Sequence, residues 1–374
     1  MQKARMHNMD WIRVIAFDLL IIYHIGMIFV PWNYHIKNNE ISESFILPMM
    51  FLNQWRLPLL FIISGMGTRY ALSYKSTGLF IRERILRLFI PLLLGILIIV
   101  PPQVYLERLN QSVHYGSYFD FYKTLFQGIY PQGNLSWHHL WFIVYLLFFT
   151  LLLTPVFVYV RNNPENKIIN KLQCAIEKYP LTIYSLTIPL IFIEVWLYPK
   201  FGYTLAFWGD WYALAFYMIL FFYGYVFVSM KATFWKLTEH KRFVFLGFAV
   251  VFAILYFILP VTSIPIPKPI LRIINLWSWI LTLLGFSVKY LNKPSNLLSY
   301  RNEAVYPFYI LHQTVLLALA FYIVKWNVSI ATKFILLLIS TYGITWLIYE
   351  FIIRKNNCMR LIFGIKLINT KKIA

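Results

Sequence analysis

The chain has 374 residues, of which 60% are hydrophobic, 20% aromatic and only 13% charged, whereas about a quarter of the residues are charged in an ordinary soluble domain. This composition excludes a soluble globular domain and predicts an all-α polytopic membrane protein. The net charge of +20 does not predict nucleic-acid binding, because the basic residues are not gathered on one soluble face.

Apolar runs of about twenty residues, the length that crosses a bilayer, predict a bundle of about ten transmembrane helices in a single domain, 1–374. The first run is long and no small-residue cleavage site follows it, so it is expected to remain as the first membrane helix. The predicted helices are 11–31, 44–66, 85–105, 138–160, 180–199, 208–230, 242–262, 270–290, 304–325 and 331–353.

Most of the 34 Lys and Arg residues lie at the N-terminus, in the loops that follow even-numbered helices and in the basic tail 354–374. By the positive-inside rule, this asymmetry predicts that both termini are cytoplasmic. The expected location is the cell inner (cytoplasmic) membrane, with multiple crossings and with membrane lipids as partners. The sequence gives no indication of an oligomeric state.

The only two cysteines, Cys174 and Cys358, fall in segments predicted to be cytoplasmic, so no structural disulfide is expected. Neither has a His or Cys neighbour at metal-ligand spacing. The sequence therefore predicts no metal site.

The first predicted helix carries polar residues in an apolar run, RVIAFDLLIIYH at 13–24. Arg13 lies at its expected cytoplasmic edge, and His24 lies on the same helical face, about 16 Å deeper. His24 is a candidate base near neutral pH, although a histidine that only hydrogen-bonds a neighbouring helix is the alternative. Asp18 points to another face and is expected to pair with an Arg or a Tyr of another helix.

The second predicted helix contains Arg56 and the small residues Ser64 and Gly65. Arg56 is expected to face a polar interior, where it either contacts an acyl carboxylate or pairs with a membrane acid such as Asp18. Small residues such as Ser64 and Gly65 let another backbone, or a narrow ligand, approach closely.

The third predicted helix begins with RERILRLFIP, which contains Arg84 and Arg87 with Arg82 nearby. Residues three apart are neighbours on a helix, and paired guanidinium groups can bind phosphates in a bidentate manner. Such a site suits a nucleotide-bearing cofactor. The alternative is ordinary positive-inside topology with lipid headgroup contacts.

The longest predicted external loop, 106–137, is rich in Tyr, Asn, Gln and His. Aromatic faces with amide and hydroxyl groups suit a sugar or a similar neutral ligand, although a membrane-interface aromatic belt is an equal alternative. His138 and His139 open the fourth predicted helix in WHHLWF, and His312 lies in the ninth. The proline-rich segment 260–269 predicts a short external turn.

Together these residues resemble acyltransferase family 3, the ten-helix membrane acyltransferases that modify extracytoplasmic glycans. The resemblance begins at Arg5 with RMHNMDWIR and continues through Arg13, ten intervening residues and His24. It covers nearly the whole chain. The further matching motifs are FIISG at 61–65, Arg84 with Arg87, HLWF at 139–142, YPFYILHQ at 306–313 and YEFIIR at 349–354.

The segment RLPLLFIISG lacks the acidic residue that many members carry shortly before the SG motif. In this respect the chain resembles the glucan biosynthesis subgroup of the family, which is associated with succinylation of periplasmic glucans. No extracytoplasmic hydrolase-like domain of the kind found in some members is visible.

The resemblance implies a membrane-bound O-acyltransferase that moves an acetyl or succinyl group from cytoplasmic acyl-CoA to a hydroxyl of an extracytoplasmic glycan or related acceptor. It places His24 and Arg13 in the catalytic site. The other implied roles are acyl-CoA binding by Arg82, Arg84, Arg87, Ser64 and Gly65, contacts with the acceptor or acyl group by Arg56, His139, Trp141 and His312, and structural polar contacts by Asp10, Asp18 and Glu350.

A transporter or flippase of a glycan, lipid or small solute is the main alternative function. Proton-coupled transporters usually carry several membrane carboxylates and inverted repeats. Here the membrane acids are few, chiefly Asp18, Glu194 and Glu350, and no repeat is visible. A scaffold without activity predicts that the buried Arg and His positions tolerate apolar replacement.

Overall fold

The structure is a computed structural model that describes residues 6–259 and 266–368. Within these ranges the chain is helical, and its only β pairing is an isolated bridge between Ile129 and Leu135. Arg5, most of the predicted turn 260–269 and the end of the tail 354–374 lie outside the described residues.

Seventeen α-helices follow one another in the described ranges. They are α1 His7–Gly26, α2 Ile46–Leu72, α3 Thr77–Arg84, α4 Ile90–Leu94, α5 Pro101–Asn110, α6 Tyr118–Lys123, α7 Trp141–Asn162, α8 Lys167–Lys178, α9 Thr187–Trp196, α10 Tyr198–Phe201, α11 Trp211–Ser229, α12 Ala232–His240, α13 Arg242–Phe257, α14 Lys268–Tyr290, α15 Asn296–Ile323, α16 Ile330–Leu347 and α17 Asn357–Ile362.

Short turns of other helical types extend several of these helices. The π-helical turns contain five or six residues each and follow directly on regular helix, so the pitch changes without a break in the chain. The 3₁₀ turns are Glu43–Phe45, His138–Leu140 and Pro180–Leu186, and the π-helical turns are Ile85–Phe89, Gly95–Ile99 and Ile348–Ile353.

Each of the ten predicted membrane segments overlaps a helix, and the protein is a multi-pass membrane protein. Within the described ranges, eight helical stretches are long and apolar enough to cross a membrane, and α12 with α13, bent by 63°, makes a ninth if the pair is one span. The helix α1 is not among these spans, because every stretch of eighteen residues within it contains Asp10, Arg13 and Asp18. The number ten and the cytoplasmic termini remain predictions.

The described chain divides into two compact units. Unit 1 consists of residues 1–16, 51–81 and 148–299, and unit 2 consists of 17–50, 82–147 and 300–374. Neither unit is a continuous segment, because the chain passes between them within several helices.

In unit 1, the helices α2 and α11 approach each other closely. A Cβ atom added to Gly65 would lie 1.9 Å from the carbonyl oxygen of Phe221, and one added to Gly224 would lie 1.9 Å from that of Ile62. Glycine at both positions lets the two backbones touch, and Phe61 stacks on Tyr217 one turn away, at a ring distance of 4.5 Å. The predicted close contact at Gly65 is therefore made with another backbone.

Unit 1 also contains a cavity of about 320 Å³ lined by tyrosines and by the ion pair of Arg272 with Glu194. The hydroxyl of Tyr212 donates to Glu194 at 2.7 Å and accepts from Arg272 at 3.0 Å. Arg56 is fully buried in this unit, with 1% of its surface exposed. The polar surroundings expected around Arg56 remain a prediction.

In unit 2, charged and polar contacts join α1, α15 and α16. The carboxylate of Asp18 forms an ion pair with Arg301 and accepts from the hydroxyl of Tyr342 at 3.4 Å. The same hydroxyl donates to the backbone carbonyl of Asp18 at 3.0 Å. An arginine and a tyrosine are the two residue types that the sequence predicts as partners of Asp18.

Candidate active site

His24 lies in the last turn of α1 and is half-buried. Its Nδ1 lies 2.8 Å from Nε2 of His312, and the two rings stack with centroids 5.1 Å apart at 10°. His312 comes from the middle of α15 and is completely buried. The structure therefore brings together two histidines that lie 288 residues apart in the chain.

The hydrogen bonds of His312 determine where the protons lie. Its Nδ1 is 2.7 Å from the carbonyl oxygen of Tyr309 and 3.2 Å from that of Phe308. A carbonyl oxygen only accepts, so Nδ1 of His312 carries the hydrogen and Nε2 accepts one from Nδ1 of His24. In the neutral pair this leaves Nε2 of His24 without a proton, as a base requires.

This contact bears on the two alternatives that the sequence leaves open for His24. The hydrogen bond to a neighbouring helix is present, as the structural alternative requires. The same bond selects the tautomer in which the second nitrogen is free of a proton, so it also prepares the ring for chemistry. The two alternatives are compatible.

His139 is the third histidine of this group. Its Nε2 donates to the carbonyl oxygen of Ile310 at 3.0 Å, and its ring meets the His312 ring edge to face at 5.2 Å. The Nδ1 atom is buried and makes no hydrogen bond to a described residue. Tyr309 donates its hydroxyl to the carbonyl of His139, which fixes the start of α7 against α15.

Tyr34 lines the same site and was not predicted from the sequence. Its ring lies nearly parallel to that of His24, with centroids 6.2 Å apart. Its hydroxyl is buried and has no hydrogen-bond partner among the described residues. Burial, and then the nearby Tyr23 and Glu107, raise the pKa of Tyr34 above its ordinary value, so the hydroxyl remains a donor at neutral pH.

A second polar group consists of His35, Glu107 and His138. The sequence drew attention to His138 but not to the other two residues or to the group. Oε2 of Glu107 lies 3.0 Å from Nδ1 of His35 and 3.7 Å from Nε2 of His138. The sequence places Glu107 just beyond the third predicted helix, whereas α5 continues to Asn110 and buries this carboxylate. The signal available in the sequence was an acidic residue, Glu107, just after the apolar run 85–105.

The arginines predicted to bind phosphates lie where two helical types meet. Arg82 and Arg84 are in the last turn of α3, and Arg87 is in the π-helical turn Ile85–Phe89. Arg82 is exposed, whereas Arg84 and Arg87 are half-buried. The wider π turn changes the angular spacing of Arg84 and Arg87 from that of a regular helix, and π turns are frequent at functional sites. Their phosphate contact remains a prediction.

Five of the predicted site residues belong to unit 1, among them the four predicted to act in catalysis or ligand binding, while the histidines belong to unit 2. Arg13 forms an ion pair with Asp10 at 2.7 Å within α1. Ser64 donates its hydroxyl to the carbonyl oxygen of Leu60 at 2.8 Å, and Gly65 packs against α11. Arg56, the fourth, is buried. The predicted roles of all four in catalysis or ligand binding remain predictions.

Trp141 and Glu350, the remaining predicted residues, lie in unit 2. Trp141 is buried and meets the ring of Tyr145 edge to face at 5.3 Å. Glu350 accepts from the hydroxyl of Tyr300 at 2.9 Å and pairs with Arg354 at 2.7 Å, and its structural role remains a prediction.

Comparison with known proteins gives a family match and partial relatives. The sequence pattern of acyltransferase family 3, described as an acyltransferase domain, matches residues 6–350. Proteins named glucans biosynthesis protein C from Shigella dysenteriae serotype 1 (strain Sd197) and from Escherichia coli (strain K12) are each 30% identical over 177 residues. The matched region is 43% of this chain and only 41% of the length of those relatives. No solved structure matches.

Proposed function

The chain belongs to acyltransferase family 3, and from that premise we propose that it is an O-acyltransferase of the cell inner (cytoplasmic) membrane. In this proposal an acetyl or succinyl group leaves cytoplasmic acyl-CoA and is joined to a hydroxyl on the opposite side of the membrane. Both termini are then cytoplasmic, as the distribution of Lys and Arg predicts.

The observation that carries the proposal is the hydrogen-bonded pair of His24 and His312. The carbonyl of Tyr309 orients His312, and His312 orients His24, so that Nε2 of His24 is the basic atom. A half-buried base supported by a fully buried partner is the arrangement that general-base and nucleophilic catalysis require.

Direct transfer is one reaction course at this base. The acceptor hydroxyl gives its proton to Nε2 of His24 while its oxygen attacks the thioester carbonyl carbon. The C–S bond then breaks, and the leaving thiolate of CoA takes up the proton from the imidazolium. The hydroxyl of Tyr34 is a donor available to the carbonyl oxygen as negative charge develops there.

Formation of an acyl-histidine is the other course. Nε2 of His24 attacks the thioester carbonyl carbon, the C–S bond breaks, and CoA leaves as the thiolate. In a second step the acceptor hydroxyl attacks the acyl carbon and the C–N bond to the ring breaks. The proton that the hydroxyl releases balances the one that the thiolate takes up, so the products are the ester and the CoA thiol. The two courses differ in one observable, because only the second gives protein labelled by radioactive donor in the absence of acceptor.

The donor site of the proposal is formed by Arg84 and Arg87, with Arg82 nearby. Guanidinium groups suit the phosphates of coenzyme A, and the long pantetheine arm lets the thioester reach the bilayer interior while the nucleotide remains in the cytosol. Arg13, Ser64, Gly65 and, for a succinyl carboxylate, Arg56 are further proposed contacts of the donor.

The acceptor we propose is a glycan or a related hydroxyl compound. The matched relatives are named for glucan biosynthesis, which favours a glucan for this chain. In addition, the segment between α5 and α7 exposes large aromatic side chains, including Phe119 and Phe126, of the kind that pack on sugar rings. Trp141, His139 and His312 are proposed contacts deeper in the site.

Binding of the two donors tests the proposal directly. We expect acetyl-CoA or succinyl-CoA to bind the purified full chain in calorimetry, and Arg84→Ala to weaken this binding by about tenfold or more, because a hydrogen bond to a charged group contributes about 1.5–3 kcal/mol. Lys171→Ala, which removes an exposed cation from α8, is the matched control and is expected to bind like the unaltered protein.

Two results would contradict the proposal. If neither donor binds to protein that elutes as a single folded species, the transporter alternative gains weight. If each donor binds Arg84→Ala as tightly as it binds the unaltered protein, the arginines only set the orientation of the chain in the membrane, and the donor site lies elsewhere.

A further inference from the structure

Three side chains of unit 2 that are distant in the sequence converge on one buried point. His35 follows α1, Glu107 lies in α5, and His138 opens the 3₁₀ turn before α7. Their ligand atoms all lie within 4.8 Å of one another. The side chains of Glu107 and His138 are only 5% and 2% exposed.

The three facing atoms lack hydrogen bonds. Nδ1 of His35, Oε2 of Glu107 and Nε2 of His138 are all buried, and none makes a hydrogen bond of acceptable geometry within the part of the chain that the structure describes. Their contacts with one another, 3.0 Å from Glu107 to His35 and 3.7 Å from Glu107 to His138, are ion pairs only if a histidine is protonated. An unsatisfied buried polar group costs about 1–3 kcal/mol, so such atoms are rare and three facing one another are rarer. One cation between them satisfies all three.

One further polar atom of Glu107 and one of His138 have partners of their own, which orient these two ligands. The hydroxyl of Tyr130 donates to Oε1 of Glu107 at 2.9 Å. Nδ1 of His138 lies 2.9 Å from Oγ of Ser136, and the same oxygen accepts from the backbone N–H of His138 at 3.0 Å. Partners of this kind behind the ligands are characteristic of metal sites.

We propose that Nδ1 of His35, Oε2 of Glu107 and Nε2 of His138 bind a Zn²⁺ ion. Two imidazoles and one carboxylate are a ligand set of catalytic zinc sites, in which a fourth position is left open. Mg²⁺ and Ca²⁺ prefer oxygen ligands only and do not suit two histidines.

The geometry is compatible with tetrahedral coordination. With ligand bonds of about 2.0–2.2 Å, neighbouring ligand atoms in a tetrahedron are about 3.3 Å apart. The observed 3.0 and 3.7 Å lie on either side of this value. The remaining pair, Nδ1 of His35 and Nε2 of His138, lies within 4.8 Å.

The zinc site lies close to His24. Tyr34, which stacks on His24, precedes His35 and contacts its ring at 5.1 Å, and His138 precedes His139 of the histidine group. A metal ion lowers the pKa of a bound hydroxyl, so the open position suits the acceptor hydroxyl. This role rests on the proposed function, whereas binding of the ion does not.

Metal content tests the site independently of catalysis. We expect the full chain, purified in detergent without chelator, to contain about one zinc per chain by plasma mass spectrometry. After removal of the metal, it should bind Co²⁺ with the visible absorption of a tetrahedral site. Glu107→Gln, which is nearly isosteric, and His138→Ala should bind at least about tenfold more weakly. His114→Ala, at an exposed histidine, is the matched control.

The possible results distinguish three claims: that zinc binds, that it acts on the acceptor hydroxyl, and that the protein transfers acyl groups. No zinc in the isolated unaltered protein and no uptake of Zn²⁺ or Co²⁺ after chelation overturns the site, and so does unchanged binding by folded Glu107→Gln. If the ion binds but the metal-free protein transfers acyl groups at the original rate, the zinc site is confirmed and the proposal that zinc activates the acceptor hydroxyl is wrong. If zinc binds and no acyl transfer occurs in any state, the proposed function fails instead.

Discussion

At the scale of the residue, the two stacked histidines have different roles. His24 is the more accessible member and carries the unprotonated nitrogen, whereas His312 is buried and its hydrogen bonds select this tautomer of His24. Substitution of the two residues should therefore have effects of different size.

His24→Ala should abolish acyl transfer, with a rate lower by about 10²- to 10⁴-fold, because that is the contribution of a positioned general base. The variant should still insert and elute as the unaltered protein does. The measurement is the rate of label transfer from acyl-CoA to a soluble glucan. His240→Ala, at an exposed histidine at the end of α12, is the control, and normal turnover by His24→Ala would rule out this mechanism.

His312→Ala should lower kcat by about tenfold, because the lost hydrogen bond contributes about 0.5–1.5 kcal/mol and about 1.4 kcal/mol corresponds to a factor of ten. The KM for acyl-CoA should change little, since His312 is not a proposed donor contact. His312→Gln, whose amide oxygen can accept from Nδ1 of His24, should recover part of the rate. An equal loss in both variants would mean that His312 serves packing alone.

At the scale of the element, the pairing of α2 with α11 depends on glycine. Gly65→Ala would place a Cβ 1.9 Å from the carbonyl oxygen of Phe221, and a backbone atom in a packed helix cannot move aside cheaply. We expect a loss of about 1–3 kcal/mol, or failure to fold, as for other overpacked positions. The measurement is the temperature at which the protein in detergent loses its monodisperse elution.

Gly67→Ala in the same helix is the matched control for this prediction. Its Cβ meets nothing within 4 Å. Because alanine is favoured over glycine in a helix interior by about 1 kcal/mol, this variant should be as stable as the unaltered protein or slightly more stable. If Gly65→Ala is as stable as Gly67→Ala, the backbones of α2 and α11 do not come into contact at Gly65.

The helical segments also show which features of the helices can be predicted from the sequence and which cannot. Apolar runs of about twenty residues correctly predicted a helix in each of ten places, because such a run has few other possible structures in a membrane. It missed the π-helical turns, since the same side chains fit either helical type. The position of Arg87 relative to Arg84 is consequently a property of the folded helix.

At the scale of the whole molecule, the sidedness of the membrane is open to test with the two native thiols. Cys174 and Cys358 are both exposed and both lie on the predicted cytoplasmic side. In intact spheroplasts, a membrane-impermeant maleimide should label neither, and permeabilisation should make both reactive. Phe119→Cys, at a position that is 78% exposed in the predicted external segment, should be labelled without permeabilisation.

Labelling of Cys174 or Cys358 in intact spheroplasts would contradict the cytoplasmic placement of these segments. It would also reverse the proposed direction of acyl transfer, since the donor phosphates must face the compartment that contains coenzyme A. The basic tail and the arginines of α3 would then require another explanation than the positive-inside rule.

The sequence by itself determined the class of the molecule: a multi-pass helical membrane protein of acyltransferase family 3, with His24 as its leading candidate. These conclusions follow from local composition, from runs of about twenty residues and from motifs within single segments, all of which are readable along the chain. The partner types of Asp18 were also predictable, because a membrane acid needs an Arg or Tyr nearby.

Only the tertiary structure decided which distant residues meet. The bond from His24 to His312 spans 288 residues, and the cluster of His35, Glu107 and His138 joins three separate segments. No spacing rule connects such residues, because helix packing rather than chain distance brings them together. The structure therefore supplied the tautomer of His24, the contact of Tyr34 with its ring and the candidate zinc site.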